Sequence, residues 1–68
     1  HASLYSTMIT MAGDPRFQIR AGAIGMLLGI KPQGLKPHVP QLQAVRATLI
    51  DGREIRWLDR LIHAALKA

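Results

Sequence analysis

The last seventeen residues before the final alanine, "DGREIRWLDRLIHAALK" (Asp51 to Lys67), constrain the fold more than any other stretch. Ile55, Leu58, Leu61, Ile62, Ala65 and Leu66 recur at three- and four-residue steps, which gathers them on one side of a helix turning about 100° per residue. Arg53, Arg56, Arg60, His63 and Lys67 recur at i, i+3, i+7, i+10 and i+14, nearly opposite. Such a segment must set one face against apolar partners and leave the other in water, so it predicts a helix on the outside of a helical core. The basic side forms a ridge about 20 Å long at about 1.5 Å per residue. Trp57 falls on its border, and Glu54 and Asp59 flank it. The start is marked too. Asp51 with Glu54 three residues later has the spacing of a capping box, in which each side chain satisfies a free backbone amide.

Upstream, Leu4, Tyr5, Met8, Ile9, Met11 and Ala12 predict a first helix over about residues 3–12, closed by Gly13. "DPRF" then predicts a second helix start, with Asp14 capping and Pro15 at the first helical position, where its missing N–H is harmless. Phe17, Ala21, Ile24 and Leu28 form its inward stripe, and Gly29 its stop. Gly22 and Gly25 inside it each cost about 1 kcal/mol relative to Ala, which predicts another helix packed closely there. "KPQGLKPHVP" (Lys31 to Pro40), with three prolines and Gly34, reads as a turn-rich connector holding at most one short helical turn. A third helix follows from about Pro40 to Ile50, with Leu42, Val45 and Leu49 facing inward. The chain therefore reads as all-α, a small bundle of about four short helices. It is a single domain over residues 1–68 or, since it opens on His1 rather than Met, a fragment of a larger chain.

A chain this short buries only about 60% of its unfolded surface. With no cysteine there is neither a disulfide nor a Cys/His zinc site to staple it, so stability must come from helix packing or from a partner. Only Tyr5, Phe17 and Trp57 are aromatic, which predicts an aliphatic core. The lack of cysteine fits a cytoplasmic or other reducing compartment. The longest apolar run, Ala23 to Ile30, is too short to span a bilayer, and nothing reads as a secretory signal. Nine Lys and Arg against four Asp and Glu give a net charge of +5. That balance favours polyanionic partners: nucleic acid, anionic lipid or an acidic protein surface.

Two family resemblances bear on the choice. "AIGMLLGIKPQGLKPHV" (Ala23 to Val39) resembles the helix-turn-helix of LuxR-type output domains and ParB-like proteins. Leu28-Gly29-Ile30 stands at the turn, Ile30 and Leu35 plug the angle between helices, and Leu35, Lys36, His38 and Val39 follow the recognition-helix pattern. The resemblance implies DNA binding, with Lys31, Lys36 and His38 supplied from the turn region. Gly34, Pro37 and Pro40 depart from it, because a proline inside a helix removes a hydrogen bond and clashes with the preceding turn. "DPRFQIRAGAIGMLLG" in turn resembles the second helix of a HEAT-like repeat. Gln18-Ile19-Arg20 recurs as Glu54-Ile55-Arg56, displaced by 36 residues, a period typical of helix–turn–helix repeats. This resemblance implies a scaffold that binds proteins.

Catalysis has little to work with. Asp14 and Asp51 are committed to helix starts and Glu54 to the capping box, and no His/Asp/Ser constellation or H-x-x-x-H metal spacing can be drawn. "GAIGMLLG" has no strand before it, so it is not a phosphate loop, and no cofactor motif is present. The leading expectation is a non-enzymatic nucleic-acid-binding domain, more readily of DNA than RNA. In it Lys31, Lys36, His38, Arg53, Arg56, Arg60 and Lys67 meet phosphates and Trp57 stacks or wedges. The alternative is a protein–protein interaction module or subunit of a complex, whose basic face meets solvent or an acidic partner. A membrane-surface helix also fits a basic amphipathic pattern, but the bundle core requires the same apolar face.

Overall fold

A computed structural model describes residues 2–68, with side chains from Leu4 onward; His1 lies outside the described residues. The described residues fold as five α-helices and one 3-10 turn. These are α1 (Ala2–Met11), α2 (Phe17–Leu28), α3 (Pro32–Leu35), the turn Lys36–His38, α4 (Val39–Thr48) and α5 (Gly52–Lys67). No strand occurs among them. The all-α expectation holds, with four longer helices as the frame.

The frame is two helical hairpins laid side by side. Short turns fold α1 back on α2 and α4 back on α5. Between the hairpins, like meets like: α1 runs along α4, and α2 along α5. Gln41 Nε2 of α4 donates to Ser6 O of α1 at 3.2 Å, and a turn further Gly13 lies against Val45, so these helices run in the same sense. Arg20 and Glu54 join the starts of α2 and α5, while α3 and the 3-10 turn bridge to the far end of α5. There Lys36 Nζ donates to the carbonyl of Ala68 at 2.8 Å.

The core is aliphatic, as expected. Its largest fully buried side chains are Ile9, Ile24, Leu27, Leu35, Leu42 and Leu58, contributed by all five helices. Each is worth about 1.5–3 kcal/mol of burial. Met8, Ala12, Ala23, Val39, Leu61, Ile62 and Ala65 fill the spaces between, and Tyr5, Ile30, Val45, Leu49 and Trp57 pack partly buried against them.

Several expectations need correcting. α2 starts at Phe17, and Pro15 precedes the helix. The Asp14 carboxylate is taken by the Arg16 N–H at 2.8 Å and by the Arg16 guanidinium at 3.0 Å, a local turn that leaves no cap for α2. The inward face of α2 is Ala23, Ile24 and Leu27; Phe17 and Leu28 are exposed, because in a helix apolar on most sides the packing partners choose the face. No helix packs on Gly22 or Gly25, where an added Cβ would meet nothing within 4 Å. In α5, Leu66 is exposed rather than inward.

The connector is more helical than its composition suggests. Pro32, Pro37 and Pro40 each fall at the first or second position of their own helical piece, where a backbone N–H has no intrahelical acceptor to lose. The prolines therefore do not prevent helix between 32 and 48; they cut it into three successive starts. The third long helix runs Val39–Thr48, shorter than the 40–50 expected, and Ile50 stands 94% exposed in the turn after it.

Candidate binding face on α5

α5 is the most strongly amphipathic element, and its burial follows the sequence pattern. Leu58, Leu61, Ile62 and Ala65 are buried, while Arg53, Arg56, Arg60, His63 and Lys67 are exposed along the opposite side. Asp51 fixes the start by accepting the amides of Arg53 at 2.8 Å and Glu54 at 3.2 Å. The expected reciprocal half of the capping box is replaced. Glu54 is only 3% exposed, and its carboxylate takes the guanidinium of Arg20 from α2. Arg20 also donates to the carbonyls of Asp14 at 2.9 Å and Pro15 at 2.8 Å, tying the first turn to the second hairpin. A buried carboxylate needs a cation more than α5 needs a second cap.

The distribution of acids decides what the ridge can do. Asp14 pairs with Arg16, Glu54 with Arg20, and Asp59 with Arg46 across the α4/α5 seam. Asp51 is spent on the helix start. Among the described residues, Arg53, Arg56, Arg60 and Lys67 therefore have no acidic partner, although all four share one helix face. The hydrogen bonds of Arg16 hold the Asp14 carboxyl below the usual carboxylate range, and each paired guanidinium is pushed further toward its charged form. Arg46, the partner that removes Asp59 from the ridge, is not visible in the local pattern of α5; only the antiparallel pairing with α4 brings it there.

The remaining expected contacts lie elsewhere. Lys36 is exposed beside the end of α5, where its Nζ reaches Ala68 O. Lys31 is exposed in the turn before α3. His38 is half-buried, its ring edge-on to Tyr5 with centroids 5.7 Å apart. Trp57 is half-buried against the core, which leaves only part of its indole for a ligand. At the other end of the bundle the two hairpin turns enclose an open hollow of about 500 Å³ between Phe17, Leu49 and Ile50, with the Arg20–Glu54 pair beside them. Its carboxylates are all engaged as described above. No group of three or more His, Cys, Asp or Glu is placed to hold a metal among the described residues, and no helix is long and apolar enough to cross a membrane.

The 36-residue displacement can now be placed in space. In that register the buried positions Glu54, Leu58, Leu61, Ile62 and Ala65 of α5 correspond to Gln18, Gly22, Gly25, Met26 and Gly29, all exposed. Conversely Arg20, Ala23, Ile24 and Leu27, which α2 turns inward, correspond to Arg56, Asp59, Arg60 and His63. The side that α2 gives to its neighbour is the side that α5 presents as its ridge. No family model, curated protein or solved structure matches the chain.

Proposed function

We propose that this chain is a non-enzymatic, HEAT-like helical module that works by binding, and that the α5 ridge docks on an acidic protein surface. One observation carries the reading: two hairpins stack like on like, and the seam between them is clasped by a guanidinium on a carboxylate. Arg56 stands on α5 where Arg20 stands on α2, with the same side chain and no acid to hold. An incoming segment that supplies carboxylates would repeat across molecules what Glu54 does within one. Guanidinium–carboxylate pairing is strong and directional, so such a contact would set orientation as well as affinity.

A second reading, contact with a nucleic-acid backbone, is favoured by the length and even spacing of the ridge. Several cations over about 20 Å can neutralise several phosphates together. The helix-turn-helix route to it has less support, because the segment that would enter a groove is one α-helical turn followed by a 3-10 turn.

Fluorescence anisotropy at low salt separates the readings. The probes are a labelled Glu-rich helical peptide, duplex DNA and single-stranded DNA, titrated with the parent chain and with a variant carrying both Arg56→Gln and Arg60→Gln. Tighter binding to the acidic peptide, lost in the variant, is the expected result. Preferential duplex binding whose log–log salt slope is about 0.9 per phosphate, and flatter by about two in the variant, would put the second reading first. Absence of binding to all three would make the ridge a solvated face.

A further inference from the structure

The two borders of the ridge are not alike. Asp59, on one border, is held by Arg46 of α4. Trp57, two residues earlier, lies about 160° away around α5 and so stands on the other border. Glu54, about 60° from Trp57, is clasped by Arg20 of α2, so this second border runs along α2, which carries no charge from Ala21 to Ile30. Residues along it recur every seven. Arg53, Arg60 and Lys67 form one exposed row, and Trp57 and Ala64 stand half-buried in the row beside it. Packing against the core holds Trp57 in place, yet its open part has no partner within the chain. Its indole N–H makes no hydrogen bond among the described residues, and no buried side-chain nitrogen there lacks one, so this N–H opens to solvent. Arg53 and Arg60 neighbour Trp57 on the helix surface, but neither guanidinium lies over the indole as that of Arg20 lies over Phe17 at 5.7 Å.

Taking the acidic-partner reading as its premise, we propose that the occupant is an amphipathic acidic helix laid lengthwise on this border. Its glutamates, seven residues apart, meet Arg53, Arg60 and Lys67, and its apolar side chains, equally spaced, meet Trp57 and Ala64. Charge selects the acidic row, because these three exposed cations have no acid of their own. Spacing selects the helix. A row repeating every seven drifts by only about 20° per heptad, so a second helix alongside meets the same two rows over about 20 Å. An extended segment would need an acid at about every third residue, and successive third residues point to opposite faces. Trp57 sets the register, since a large rigid side chain between two cations is the kind of anchor on which interfaces concentrate their affinity. A duplex backbone offers phosphates to the cations and nothing apolar to the row beside them.

The experiment titrates the parent chain with two labelled helical peptides of equal glutamate number. Beside the glutamates, one carries leucine every seven residues and the other glutamine. Anisotropy gives the affinities, and Trp57, the single tryptophan, reports the contact by its emission. The leucine peptide should bind at least about tenfold more tightly, as burial of a leucine predicts, and should shift the emission to the blue as the indole leaves water. Trp57→Ala, with folding checked by circular dichroism, should bring the two affinities together. Leu66→Ala, at an exposed residue on the opposite border, should leave the preference intact. Equal binding of both peptides by the parent, an unmoved emission, or loss of the preference in Leu66→Ala would overturn this proposal and leave the acidic partner standing. Binding of neither peptide would overturn both. Duplex DNA bound more tightly than the leucine peptide, with the same blue shift, would overturn both in favour of nucleic acid.

Discussion

α2 and α5 hold equivalent places in their hairpins and run side by side, yet their bare surfaces differ completely. α2 turns glycine and methionine outward, and α5 turns arginine, histidine and lysine. The inward surfaces differ as sharply, since α5 was amphipathic before it met a partner while α2 is apolar on nearly every side. The comparison teaches that an amphipathic helix carries its own orientation, whereas a uniformly apolar one is oriented by its neighbours.

The sharpest way to break the comparison is at the register pair Arg20 and Arg56. Arg20→Met would leave the Glu54 carboxylate, 3% exposed, without its cation, and a stranded buried charge is among the most damaging changes a small domain can receive. Denaturant unfolding should show the largest loss of stability of any single change discussed here, with Arg20→Lys intermediate. Arg56→Met should move stability by less than about 0.5 kcal/mol. Equal losses at both positions would mean that Arg56 is not free. Next comes the pair Leu58 and Gly22. Leu58→Ala removes a fully buried side chain and should cost about 2–5 kcal/mol. Gly22→Ala adds a methyl where nothing lies within 4 Å and should instead stabilise the monomer by up to about 1 kcal/mol.

The two helix starts sharpen the same contrast. Asp51 accepts two amides of α5, so Asp51→Ala should cost about 0.5–2 kcal/mol. Asp14 caps nothing on α2 and stabilises its turn through Arg16. Because the folded state holds the Asp14 carboxyl below its ordinary value, that contribution is complete above the ordinary carboxylate range and is lost as pH falls through the lowered value. An acid titration of stability should therefore flatten in Asp14→Asn below about pH 4. An unchanged acid limb would show that the turn forms without the pair.

How much of this was legible beforehand follows from where each signal resides. α5 could be read almost whole, since cap, buried face and ridge are local patterns. The stripe expected for α2 fails at Phe17 and Leu28, because Gln18 alone marks the outer side as polar and tertiary contacts decide the rest. Glu54 showed the spacing of a cap, but nothing within its own helix announced Arg20. The connector misled for a different reason. Proline breaks a helix only past its first turn, and a sequence does not show where each new turn begins. The ridge residues were visible from their spacing alone, whereas their lack of partners required the whole ledger of acids, including Arg46 on Asp59.

The smallest effect on the fold tests the ridge itself. Arg56 and Arg60 are four residues apart on an exposed helix face, a like-charge spacing that destabilises a helix by about 0.2–0.5 kcal/mol at low salt. Neither side chain is part of the core, and neither has an acid to lose. Replacing both by Gln should therefore leave the thermal midpoint unchanged or slightly raised in dilute buffer. The difference should vanish at high salt, where the Debye length shrinks to about 3 Å. Calorimetry of parent and variant at two ionic strengths reads this directly. A ridge that stabilised the bundle through contacts of its own would lose stability in the variant at both salts. A ridge kept for a partner shows the reverse: a chain slightly better folded and measurably worse at binding.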